Sequence, residues 1–119
     1  MTTHADHPTD TANELLAAAR ASLAEGDLMQ ASAKGWGAAA QMVTAIAEDR
    51  GWDHADRGDL YRAVRRLAKE LPDQDLRPLF LSANSLEQNS HEDWMTESFV
   101  AGGIDDVEQF AAALESHLS

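Results

Sequence analysis

The chain contains no cysteine, which excludes disulfides and every thiolate metal site. It contains no apolar run near the ~20 residues that a membrane-spanning helix needs. β-branched residues are few, which argues against a sheet protein. Basic residues are scarce: nine Lys and Arg stand against 21 Asp and Glu, for a formal net charge of −12. Such a surface repels phosphate backbones and anionic membranes on average, so nonspecific nucleic-acid binding and membrane association are not expected. The opening stretch, MTTHADHPTDTANE, lacks the basic flank and apolar run of a signal peptide, and a cytoplasmic protein is expected.

What the chain has in quantity is alanine, the strongest helix former. With 119 residues, one all-α domain is expected: a bundle of four or five helices over 11–119, preceded by a disordered tail over 1–10. His4 and His7 in that tail are expected to bind no metal.

The organising stretch is Gly26–Trp52, GDLMQASAKGWGAAAQMVTAIAEDRGW. It reads as a long helix with two apolar faces. One face carries Leu28, Ala31, Gly35, Ala38, Met42 and Ile46. The other carries Trp36, Ala39, Ala40, Val43 and Ala47. Gly35 and Gly37 each cost roughly 1 kcal/mol relative to alanine, and close helix packing is the simplest compensation. Before this helix, Thr11 and Glu14 have capping-box spacing for a first helix that ends at Gly26. After it, Asp56 or Asp59 caps a third helix with the stripe Leu60, Val64, Leu67, Leu71. Asp73 or Asp75 caps a fourth, and Pro78 is tolerated in its first turn. Gly102-Gly103 is expected to break the chain before a last helix from about Asp105.

Charge is distributed unevenly. Seven of the nine cationic residues lie between Arg50 and Arg77, while residues 78–119 have none and carry eight acids. A basic helix is thus expected to meet an acidic surface, within the chain or across a dimer. Arg62, Arg65, Arg66 and Lys69 share the outer side of the third helix. A charged outer face is usually only solvated; the alternative is an anion- or protein-binding surface.

No catalytic motif is present. His91-Glu92 opens an H-E-x-x-H pattern, but position 95 is Met. Phosphate-binding loops and G-x-S-x-G are absent, and GWG at 35–37 lies inside a helix. Neither a metal nor a cofactor is expected, and no catalytic residue is assigned. The ligand-binding candidates are Trp52, His54 and Arg57 in the loop after the long helix, with Asn89, His91 and Glu92 at the polar end of the fourth. Helical-bundle topology can bring both groups to one end. The bland alternative is that Trp52 plugs the bundle and His54 is solvated.

The residues Gly26-Asp27, Gln30-Ala31, Lys34, Trp36-Gly-Ala-Ala, Val43, Ala45, Ala47, Arg50-Gly-Trp52 and His54 resemble the PaREP-type family of small archaeal and bacterial helical proteins. Leu79-Phe80, Ala83, Leu86, Asn89, Glu92 and the Asp106–Phe110 segment extend the resemblance to about residues 12–118. The family is similar to HEPN domains, four- or five-helix bundles often found as dimers. Glu87 stands where the family pattern has histidine, and Ser90-His91 where it has Phe-Tyr. HEPN ribonucleases carry an arginine separated from a histidine by four to six residues. Arg50 and His54 are separated by three, and no arginine stands at the required spacing before His91 or His117. The resemblance therefore implies a non-catalytic interaction or small-ligand-binding module, with homodimerisation expected from the small-residue face and exposed aromatics. Alternatives are nucleotide binding or transfer by the arginines and Trp52, an antitoxin-like protein partner, and a divergent ribonuclease using His54 and His91.

Overall fold

The computed structural model describes residues 8–118. These form five helices: α1 Pro8–Ala24, α2 Leu28–Arg50, α3 Arg57–Glu70, α4 Leu76–Glu92 and α5 Glu97–Glu115. There is no strand among the described residues, so the all-α expectation holds.

The first helix begins three residues before Thr11. Pro8 supplies a preset helical φ at its first position, where the missing N–H removes nothing, and Asp10 adds a negative charge to the first turn. The ordered domain therefore reaches into the stretch expected to be a tail. His4 and His7 lie outside the described residues.

Two turns depend on glycine. Gly26 has φ 82°. Its N–H donates to Leu23 O (3.0 Å), and the next N–H, of Asp27, donates to Ser22 O (2.9 Å). Asp27 then caps α2 by accepting the Gln30 amide. At the far end Gly51 has φ 72°, and the N–H of Trp52 reaches back to Ala47 O at 2.8 Å. Both ends thus have the paired bonds of a Schellman motif, which satisfy carbonyls the helix leaves unused.

α2 is the central element. It touches all four other helices, whereas α3 touches only α2 and α4. Both faces read from the sequence are inside: Ala31, Gly35, Ala38, Met42 and Ile46 on one, Ala39, Val43 and Ala47 on the other, all buried. The small-residue face expected to support dimerisation is thus used up within one chain. Trp36 lies against Phe80, whose ring also meets Tyr61 edge-on and Phe110, with centroids 5.6, 4.9 and 5.5 Å away.

α5 runs unbroken through Gly102-Gly103, contrary to the expected break. The reason is packing. A Cβ on Gly103 would stand 2.8 Å from Leu86 Cδ2, and one on Gly35 would stand 2.9 Å from Leu86 Cδ1. Leu86 of α4 therefore sits in a notch cut by one glycine of α2 and one of α5. That close contact outweighs the roughly 1 kcal/mol helical cost of each glycine. Gly37 differs: its nearest neighbour would be Leu15 at 3.6 Å, ordinary contact, so close packing does not account for it.

Asp56 caps α3 in a reciprocal box with Asp59. Asp75 precedes α4 at φ 53° and makes no side-chain cap bond.

Candidate functional site

The Schellman turn at the end of α2 folds Trp52 back over its own helix. There the ring meets two guanidinium groups, with Arg66 Cζ at 4.8 Å and Arg50 Cζ at 5.2 Å from its centroid. Such stacking is worth about 0.5–2 kcal/mol per pair. Arg50 also pairs with Glu70 at 2.6 Å, and this pins the end of α2 to the end of α3. Beside Trp52 opens a cleft of about 330 Å³ whose rim includes Asp53, Asp59, Arg62, Arg65 and Arg66.

The cations of this corner differ in their commitments. Arg62 is engaged by Asp59. That contact, reinforced by the amides of Ala55 and Asp56, holds the Asp59 carboxyl below its usual range, with desolvation opposing. Glu70 is likewise held low by its bonds to Arg50, against a smaller opposing effect of burial. Arg65 and Arg66 have no carboxylate partner among the described residues. His54 turns its Nδ1 to Trp52 O at 3.0 Å, which closes the loop locally.

A second cluster forms where the start of α3 meets the end of α4. Glu87 takes Arg57 on one oxygen at 2.9 Å and His91 on the other at 3.1 Å. Its side chain is only 15 % exposed, so the carboxylate bridges two more exposed partners. Tyr61 lies within the same field: burial raises its phenol pKa, Arg57 opposes and Glu87 adds.

Of the six candidates, Arg57 and His91 are brought together, through Glu87. Trp52 and His54 share the α2–α3 loop. Asn89 is turned inward and fully buried: its Nδ2 donates to Ser32 at 2.9 Å, and its Oδ1 accepts the amides of Trp94 and Met95, both at 2.7 Å. It fastens the α4–α5 turn to α2. Glu92 is exposed at the last position of α4. Sequence reasoning passed over Glu87 and Arg50 as site residues; Arg66 stood among the α3 arginines weighed for anion binding, but without its contact to Trp52. Glu87 stands four residues before His91, one helical turn, so that pairing was open to view. The Trp52–Arg66 contact joins separate elements and carries no local signal. No group of three or more His, Asp or Glu side chains among the described residues could hold a metal ion.

Residues 8–111 match the Archaeal PaREP1/PaREP8 family. The chain belongs to this family. A crystal structure of a protein from Sulfolobus solfataricus has a similar fold, with a TM-score of 0.76 over 98 % of this chain and 97 % of that one, at 21 % identity. At that identity the likeness speaks for the fold alone. No curated protein matches the sequence. No helix among the described residues is long and apolar enough to cross a membrane.

Proposed function

We propose that this PaREP family member is a non-catalytic binding module whose ligand is a small anion of the phosphate-bearing class, taken at the Trp52 corner. The observation that carries the reading is the pair Arg65 and Arg66. Both lie on the rim of one cleft, and neither has a carboxylate partner among the described residues of a chain with net charge −12. In so acidic a protein, exposed guanidinium groups would ordinarily find carboxylates. An anion with several oxygens would accept charge-assisted hydrogen bonds from both. Trp52 already carries two guanidinium groups, so a nucleotide base would bind by stacking on an arginine plane or by displacing one from the indole. The HEPN-like character and a cytoplasmic setting belong to the same proposal, supported by the five-helix bundle and by the absence of cysteine.

The test is calorimetric titration with inorganic phosphate, a nucleoside monophosphate and a nucleoside triphosphate. Affinity is expected to rise with phosphate number. Arg66→Glu or Arg65→Glu is expected to weaken it by roughly 10- to 150-fold, the worth of one charge-assisted hydrogen bond of about 1.5–3 kcal/mol. Absence of heat and of any thermal shift with all three at millimolar concentration would contradict the reading.

A further inference from the structure

The α4–α5 turn is fastened from beneath. Asn89, fully buried, accepts the amides of Trp94 and Met95 and donates to Ser32 of α2. Met95 packs against the core, and Val100 is buried in it. The backbone that carries Trp94 and Phe99 is therefore held in place, yet their rings stay in water: Trp94 is 53 % exposed and Phe99 69 %. Both line a groove of about 670 Å³ between α4 and α5, together with Asp105 and Asp106, and no Lys or Arg lines it. Asp106 accepts the Ser82 hydroxyl at 2.7 Å, and Asp105 is engaged by Arg20. Glu92, Asp93 and Glu97, on the same turn, are exposed, and none has a cationic partner among the described residues.

We infer that this face is a docking site for a cationic, apolar segment of a different protein. Large apolar side chains of that segment cover Trp94 and Phe99, and its lysines or arginines pair with Glu92, Asp93 and Glu97. Charge selects the occupant. Residues 78–119 carry eight acids and no Lys or Arg, so the face repels nucleic acid and anionic lipid. A second copy of a chain with net charge −12 is opposed by the same repulsion. A free polyamine would satisfy the acids but leave the rings uncovered. A guanidinium or ammonium group on a protein segment is attracted both by the carboxylates and by the aromatic faces. The fastened turn favours binding further, because aromatic side chains on a backbone already in place lose little freedom when they are covered. The site is separate from the Trp52 cleft: the two share no lining residue, and one is suited to a cation where the other is suited to an anion.

The probe is a short synthetic amphipathic peptide of leucine and arginine, compared with the same peptide carrying glutamate for arginine and with free spermine. Binding is read by tryptophan emission and calorimetry at about 0.15 M salt, where distant charges are screened. Trp36 and Trp52 are half-buried and Trp94 is exposed, so the arginine peptide is expected to shift wild-type emission to the blue and Trp94→Phe to lose that shift. Phe99→Ser is expected to weaken binding about 10-fold. Glu92→Gln combined with Glu97→Gln is expected to weaken it about 3- to 10-fold. Glu14→Gln combined with Glu25→Gln removes the same charge from exposed positions at α1 and the turn after it, and is expected to change affinity less than about 2-fold. Arg66→Ala, which impairs the proposed anion site, is expected to leave peptide binding unchanged, so the two readings fail separately. Circular dichroism confirms that each variant is folded before it is scored. No emission shift, equal losses in the two glutamine pairs, binding of the glutamate peptide, spermine as tight as the arginine peptide, or a wild-type dimer that Phe99→Ser dissociates would each overturn the proposed docking site.

Discussion

Around Leu86 the packing leaves no room for a methyl group, whereas around Trp52 it leaves a cleft of about 330 Å³. The first region is where α2, α4 and α5 converge, with glycine on two sides of a fully buried leucine. The second is where α3, held only by α2 and α4, leans on the end of the central helix through arginines. Apolar contact governs the one and charge the other. The difference teaches which part of the chain is free to bind. A close-packed core has two outcomes, fit or clash, while a corner held by ion pairs and cation–π contacts can exchange partners at small cost.

The largest effect is expected in the core. Leu86→Ala would empty the glycine notch and lower stability by about 2–5 kcal/mol, read from urea unfolding. Asn89→Ala would leave the amides of Trp94 and Met95 without their acceptor, at a cost of about 1–3 kcal/mol for each group left buried and unpaired. If instead Asn89→Ala unfolds at the wild-type urea midpoint, the account of the α4–α5 turn fails.

The contrast also divides the glycines. Gly103→Ala forces a Cβ against Leu86 and is expected to destabilise by about 1–3 kcal/mol. Gly37→Ala has room beside Leu15 and is expected to stabilise by about 0.5–1 kcal/mol through helix propensity. Equal effects of the two on the melting temperature would erase the distinction.

The smallest effect belongs to the corner. The folded-state pKa values of Glu70 and Asp59 lie below their ordinary 4.5 and 3.8. Their contribution is therefore present above those values and is lost as pH falls through and below them. Melting temperature should decline from pH 5 toward about pH 3 more steeply in the wild type than in Glu70→Gln, because the variant has already lost the Arg50 ion pair. Parallel declines would show that the pair contributes nothing.

Much of the core was legible. Of the stripe Leu60, Val64, Leu67, Leu71 the first three are buried as their spacing predicts, because helical period and burial are the same physical fact, while Leu71, at the C-cap of α3, is half-buried. The cap of α3 was legible as one of Asp56 and Asp59 because its bonds are local, and the structure uses both in one reciprocal box. The glycine pair at 102–103 misled, since a glycine that breaks a helix and one that admits a neighbour look alike until the neighbour is placed. The site was less legible. Six residues could be chosen by position, but the approach of Arg57 to Glu87 and of Arg66 to Trp52 joins separate elements and is tertiary. Asn89, polar near a helix end, reads like a ligand residue although its partners are all within the chain.

Hydrogen–deuterium exchange with and without a nucleoside triphosphate tests most directly the claim that the core holds the fold and the Trp52 corner takes the ligand. Without ligand, α2 should exchange slowly and α3 faster, since α3 has fewer packed neighbours. With ligand, protection should rise over residues 51–66 and leave α1, α4 and α5 unchanged. Protection spread evenly over the chain, confined to the α4–α5 turn, or absent at saturating ligand would contradict it.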